Sequence, residues 1–307
     1  MAPSPSYRGR FAPSPTGPLH FGSLVAALAS CVDARANRGE WLVRIEDVDQ
    51  TRAVAGAADD ILRTLEAFGF EWSGGIVYQS HRTDRYRDAL DRLRRLGVAY
   101  DCGCSRKDIA AAARRGVEGP IYPGRCRQGA PLRATPQAVR VQTHDQPISV
   151  TDAVFGSHSQ RLESAVGDFV VRRADGYFAY QLAVVVDDAD QAITHVVRGA
   201  DLLWSTARQV YLQALLELPT PRYAHVPVVL DAAGRKLSKR DLAHPVDPRD
   251  PLRALLAAWG FLGQTLESEK PASPAELWAF AIERWDLARV PALAPPVGAV
   301  SGAAEEG

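Results

Sequence analysis

The 307-residue chain has little cysteine, no excess charge of either sign and no long apolar run. Its four cysteines, Cys31, Cys102, Cys104 and Cys126, are too few and too unevenly spaced for the disulfide framework of a secreted domain. Lysine plus arginine and aspartate plus glutamate both number 36, so no global field draws in nucleic acid and any such contact must come from a local patch. No stretch reaches the roughly 18 uninterrupted apolar residues of a membrane span, and residues 1–7 lack the basic start and apolar run of a secretory signal. A soluble, cytoplasmic globular protein of one large domain or two modest ones is expected.

Residues 10–23, RFAPSPTGPLHFGS, organise what is present. Pro13, Pro15 and Pro18 fix φ and remove backbone donors, while Gly17 and Gly22 leave room for a ligand to approach the backbone. His20 stands ahead of a helix predicted over 22–38, whose free N–H groups and positive dipole end suit a phosphate. Taken alone, such a loop is only a connection. A strand at 8–12, this helix with Gly39 as its stop, and a strand at 41–45 make a βαβ unit, so a parallel sheet is expected with ligands at its carboxyl edge. The second strand ends in Arg44-Ile45-Glu46-Asp47-Val48-Asp49. Asp47 and Asp49 read equally well as caps, whereas Glu46 closes the strand at the ligand edge.

Ile61, Leu62, Leu65 and Phe68, then Tyr86, Leu90, Leu93 and Leu96, repeat at helical spacing. Arg82, Arg85, Arg87, Arg92, Arg94 and Arg95 on the second of these helices read as a solvated face. Cys102-Gly103-Cys104, a helix over 107–115 and Cys126 follow. Three cysteines can hold Zn²⁺, which takes four ligands, and with no histidine between residues 99 and 140 the local fourth candidate is Tyr122; three reduced cysteines without metal are the alternative. Residues 106–140 hold eight basic against two acidic side chains, a candidate phosphate-backbone surface. Strands are predicted at 139–141, 148–150 and 169–172, with a hairpin turn at 173–176 leading into a strand at 177–180. The acids Asp187, Asp188 and Asp190 come next, then a strand ending at Arg198 and a helix over 205–216. Arg198 suits a bidentate carboxylate ligand, or an ion pair with Asp201 or Asp187. A strand at 225–230 and a turn lead to the basic segment 235–240, where Lys236 and Lys239 flank Ser238 and can neutralise nucleotide phosphates as pyrophosphate leaves. Helices are predicted at 252–259 and 276–285, and the Ala, Pro and Gly-rich end is expected to be disordered.

PSPTGPLHFGS together with GRKLSKR resembles the paired HIGH and KMSKS motifs of class I aminoacyl-tRNA synthetases, and RFAPSPTG with RIEDVDQTR resembles their glutamyl subgroup. Ser23 stands where HIGH has its second histidine, and Leu237 and Arg240 replace the methionine and last serine of KMSKS. The resemblance implies an α/β fold with a Rossmann-like parallel sheet: a catalytic domain over 1–241, an inserted zinc- and acceptor-binding subdomain at about 100–190, a short helical part over 242–290 and a disordered tail at 291–307. It implies that Arg10, Phe11, Ala12, Pro13, Ser14, Glu46, Tyr180 and Arg198 surround L-glutamate. His20, Gly22, Ser23 and Lys239 would meet ATP and its Mg²⁺, with Lys236 assisting, and Cys102, Cys104, Tyr122 and Cys126 would hold one zinc. CGC, GDFVVRRADGYFAYQLAVVVDDA, VVRGADLL and a length near 300 residues resemble the branch that lacks an anticodon-binding domain and attaches glutamate to queuosine in tRNA(Asp). A monomer is expected. A truncated synthetase for tRNA(Glu) and a non-catalytic tRNA- or nucleotide-binding paralogue are the other readings.

Overall fold

The expected βαβ unit opens the chain. In the computed structural model, β1 (Arg8–Phe11) pairs in parallel with β2 (Glu40–Ile45), from Arg8 against Glu40 to Phe11 against Val43, and α1 (Phe21–Ala36) crosses between them. The structure describes residues 6–112, 114–116, 119–129, 136–229, 245–266 and 270–293. The predicted turn and basic segment with Lys236 and Lys239, and most of the tail, therefore lie outside the described residues.

Helix α1 is apolar nearly all round, as a helix must be when it is covered on both sides. Its end corrects the expected stop. Arg38, not Gly39, takes the left-handed conformation (φ 53°), and the Arg38 and Gly39 N–H groups close a Schellman pair on Arg35 and Ala34. Gly39 is needed for another reason: a Cβ there would collide with the Tyr7 carbonyl.

After α2 (Ala57–Ala67), the short β3 (Val77–Tyr78) adds in parallel to β2. Helix α3 (Thr83–Arg95) leads to β4 (Ala99–Cys102), α4 (Arg106–Ala112) and a two-residue pair, β5 (Arg115–Gly116) and β6 (Gly119–Pro120). Helix α4 is thus shorter than the predicted 107–115. Next come β7 (Ala138–Val141), the hairpin of β8 (Pro147–Asp152) and β9 (Gly156–Arg161), the single turn α5 (Leu162–Ala165) and β10 (Phe169–Arg172). Strands β10, β7 and β4 form an antiparallel sheet in that order.

The predicted strand at 177–180 is not formed. Only an isolated bridge joins Arg172 to Phe178, and α6 (Tyr180–Asp190) begins at once, its residues 181–188 being buried all round where a strand has only two faces. Strand β11 (His195–Gly199) then runs beside β1, with the Thr194 N–H donating to the Arg8 carbonyl at 2.9 Å. Helix α7 (Thr206–Leu215) and β12 (Arg222–Val226) follow, β12 pairing in parallel with all five residues of β11. Helices α8 (Pro251–Phe261) and α9 (Pro274–Arg284) pack on α1. One core gathers β1, β2, α1, α2, α8 and α9; a second joins α3, β7, β10, α6 and α7. The carboxyl ends of β1, β2 and β11 meet where these two cores adjoin.

Candidate active site

Two backbone bonds tie the proline-rich loop to the end of β2 and the segment after it: Glu46 N–H donates to the Pro13 carbonyl and Val54 N–H to the Pro15 carbonyl, both at 2.9 Å. Ala12, Ser14, Glu46 and Tyr180 consequently share the wall of a cavity of about 610 Å³. Its far side is formed by Arg106, Ile109, Tyr122 and Arg140, so the cysteine region and the loop, distant in sequence, face one space.

Behind this wall is a charged layer that sequence reading missed. Arg10 is bound through Nε and Nη2 to both oxygens of Asp188 on α6 (3.1 and 3.3 Å), and Arg44 Nη1 reaches the same carboxylate at 2.8 Å. Arg10 is therefore not on the wall but holds it from behind. Burial pushes the Asp188 carboxyl up, yet Arg10 and Arg44 outweigh it and hold it below the usual range. Glu46, 3.4 Å from Arg44, goes the other way: burial pushes its carboxyl up to about 7 against the pull of Arg44 and Arg10. Asp187 accepts from Gln79 (2.8 Å), Arg82 (2.6 Å) and Tyr86 (2.8 Å), so Arg82 is an internal clamp rather than part of a solvated face. The signal available was an acid run inside the apolar helix VVVDDAD.

Asp47 accepts from the Ser80 N–H and hydroxyl at 2.8 and 2.6 Å, and Asp49 from Thr51 and from Arg173 at 2.5 Å; both acids pin loops. Tyr180 remains a neutral phenol, its pKa pushed up to about 12 by burial. Its hydroxyl lies 3.5 Å from Arg198 Nη1. Arg198 is buried, and its hydrogen-bond partners among the described residues are His225 (3.0 Å), Gln209 (2.8 Å), Thr206 (2.9 Å), Leu202 and Tyr180. None is the carboxylate of Asp201 or Asp187.

His20 caps α1, its Nδ1 accepting the Ser23 N–H at 3.2 Å while Nε2 lies 3.1 Å from the Ser23 hydroxyl. One helix donor expected for a phosphate is thus already used. Gly22 leaves space beside the His20 ring, where a Cβ would sit at 3.4 Å.

The Sγ atoms of Cys102, Cys104 and Cys126 lie within 4.8 Å of one another. The Tyr122 hydroxyl is 3.3 Å from Cys102 and 3.8 Å from Cys104, and Cys104 is 3.6 Å from Cys126. Zn–S bonds of about 2.3 Å at tetrahedral angles separate ligand atoms by roughly 3.5 to 3.8 Å, so the spacing and the donor types fit a zinc ion. Burial and the adjacent thiols raise the Tyr122 pKa, which keeps the phenol protonated when no cation balances it. Of the basic excess at 106–140, Arg127 is spent on Asp168 and Glu163, whereas Arg106, Lys107, Arg114 and Arg125 are exposed.

A parallel sheet with a capped helix, a glycine- and proline-rich loop and a charged cavity at its carboxyl edge defines a class I synthetase catalytic site. The chain belongs to that family: the description "tRNA synthetases class I (E and Q), catalytic domain" matches residues 6–269. It is 54% identical over 289 residues, 94% of this chain and 91% of the relative, to the glutamyl-Q tRNA(Asp) synthetase of Aromatoleum aromaticum. It is likewise 54% identical, over 93% of this chain and 96% of the relative, to that of Chromobacterium violaceum. Among solved structures, the glutamate-tRNA synthetase of Elizabethkingia anophelis is similar with a TM-score of 0.77 and 27% identity, covering 94% of this chain and 68% of that one.

Proposed function

We propose that this chain activates L-glutamate with ATP and transfers it to queuosine at the wobble position of tRNA(Asp). The observation that carries the reading is the near-full-length identity of about one half to relatives bearing that name. The site supports it chemically: a buried guanidinium with neutral partners, Arg198, calls for an anion, while Glu46 suits an ammonium.

On this reading a carboxylate oxygen of glutamate attacks the α-phosphorus of ATP in line, and pyrophosphate leaves. His20 and Gly22 at the start of α1, with Lys239 and Lys236, stabilise charge on the phosphates, where one well-placed donor is worth about 2.7 to 4 kcal/mol, while Ser23 holds the His20 ring. A ring hydroxyl of queuosine then attacks the mixed anhydride and AMP leaves, so no side-chain nucleophile is required. Mg²⁺ accompanies ATP. Zinc, held by Cys102, Cys104, Tyr122 and Cys126, would tie the end of β4 to the 122–126 turn. The catalytic domain over 1–241 with its insertion, a monomeric state and a cytoplasmic location complete the proposal.

The test is charging of labelled glutamate onto tRNA(Asp) with and without queuosine, alongside tRNA(Glu). Label on queuosine-containing tRNA(Asp) alone is expected. Label on tRNA(Glu) would establish the truncated synthetase instead, and no label together with no adenylate a non-catalytic paralogue.

A further inference from the structure

Arg198 at the end of β11 is oriented by a chain of two side chains that no part of the proposed reaction uses. Asp152, at the end of β8, is fully buried, its Oδ1 receiving the N–H groups of Val154 (3.0 Å), Phe155 (2.9 Å) and His225 (3.3 Å). Its Oδ2 lies 2.6 Å from Nδ1 of His225, which is also fully buried. A carboxylate can only accept, so the imidazole proton must sit on Nδ1 and Nε2 is left as an acceptor. That acceptor takes the Nε–H of Arg198 at 3.0 Å. Burial outweighs the attraction of Asp152 and lowers the His225 pKa to about 4, so the ring carries no charge at neutral pH.

We propose that His225, locked by Asp152 in the tautomer whose Nε2 accepts, is a positioning residue for Arg198, fixing the guanidinium without neutralising it. The contrast with Arg10 gives the reason. Arg10 spends its charge on Asp188 through two bonds and becomes part of the frame. Arg198 is held by an imidazole, an amide oxygen and a hydroxyl at 3.0, 2.8 and 2.9 Å. Its two remaining N–H groups make only long contacts, 3.5 Å to the Tyr180 hydroxyl and 3.4 Å to the Leu202 carbonyl, and both of those residues line the cavity. A carboxylate arriving beside Tyr180 would meet a guanidinium already aimed and still fully charged. Recognition of a substrate carboxylate over the corresponding amide follows, since an amide cannot balance that charge. The inference rests on the proposed use of glutamate.

The test compares His225→Gln and His225→Asn. A glutamine amide can place its oxygen where Nε2 stood, whereas the shorter asparagine cannot reach Arg198. In ATP–pyrophosphate exchange, with direct calorimetric titration of glutamate, His225→Asn should raise the glutamate KM about 10- to 100-fold, as expected for loss of a charge-assisted hydrogen bond. The ATP KM should stay within about threefold, and His225→Gln should recover most of the glutamate affinity. His225→Glu, which supplies a neutralising charge, should reduce discrimination against glutamine. The proposal is overturned if both conservative variants raise the two KM values equally as Tm falls, or if both leave the glutamate KM unchanged. Failure of the wild-type chain to bind glutamate would remove the underlying reading first, before any variant is compared.

Discussion

Glu46 and Arg198 illustrate how much a single residue depends on what lies behind it. A carboxyl raised from 4.5 to about 7 holds a proton in the folded chain that the unfolded chain has released. Its contribution to stability is therefore present below the unfolded value and lost as pH rises through 7, a difference on the order of 1 to 3 kcal/mol. Denaturant midpoints from pH 5 to 8 should thus fall in the wild type relative to Glu46→Gln; parallel curves would show that Glu46 is ionised throughout. A substrate ammonium would draw that proton off, so glutamate affinity should rise over pH 6 to 8 with proton release visible by calorimetry in two buffers. Arg198→Lys should raise the glutamate KM far more than the ATP KM, because lysine lacks the rigid fork that its three close partners hold; equal effects would make Arg198 structural. Glu46 was legible because it closes a strand, and Tyr180 through the motif around it. The partner of Arg10 was not, since Asp188 is 178 residues away and nothing local links them. His225 stood in an apolar strand without any chemical company in sequence.

Elements were legible where period and punctuation agreed. The βαβ start followed from an Ala- and Leu-rich helix between two short apolar strands, and α3 from its spacing of Tyr86, Leu90 and Leu93. The 177–180 segment misled because a glycine turn and three aromatics imitate a hairpin, whereas tertiary burial favours a helix from Tyr180 onward. Helix α6 depends on its acids as much as on its valines. Asp187→Asn would leave Arg82 and the buried Arg44 short of a partner and should cost about 3 to 5 kcal/mol in urea unfolding, the usual penalty for breaking a buried pair. A loss under 1 kcal/mol would mean that Asp188 and Asp190 take over. The cysteine element makes a different demand. Cys126→Ser should lose zinc and slow transfer to tRNA more than adenylate formation, but Tyr122 and Arg140 line the same cavity as Glu46, so some loss of activation is expected as well. Arg140 packs 4.0 Å over the Tyr122 ring, which gives the cysteine cluster a direct route to that wall. Tyr122→Phe tests the oxygen ligand: equally tight, stoichiometric zinc in that variant would exclude the phenol.

At the scale of the whole molecule, the question is whether RNA must bind before glutamate can be activated. The chain covers 91% and 96% of two relatives' own lengths but only 68% of a glutamate-tRNA synthetase of the same fold. The groups around the cavity are set by pairs inside the chain: Arg10 with Asp188, Arg44 with Glu46, and Arg198 with His225. The C-terminal helices buttress this arrangement rather than reach away from it, with Trp278 donating to the Phe68 carbonyl at 2.9 Å and Trp285 to Asp33 at 2.8 Å. Because each of these side chains is already held in place by residues of this chain, and the charge left open on Arg198 is one that the substrate carboxylate fills, RNA is not needed to set the amino-acid site. ATP–pyrophosphate exchange with glutamate should therefore proceed without any tRNA. Lys239→Ala should slow it about 10²- to 10³-fold through loss of one phosphate donor. Lys107→Ala, on the exposed surface of α4, should leave it unchanged. An absolute requirement for tRNA would mean that some part of the site is assembled only when RNA binds.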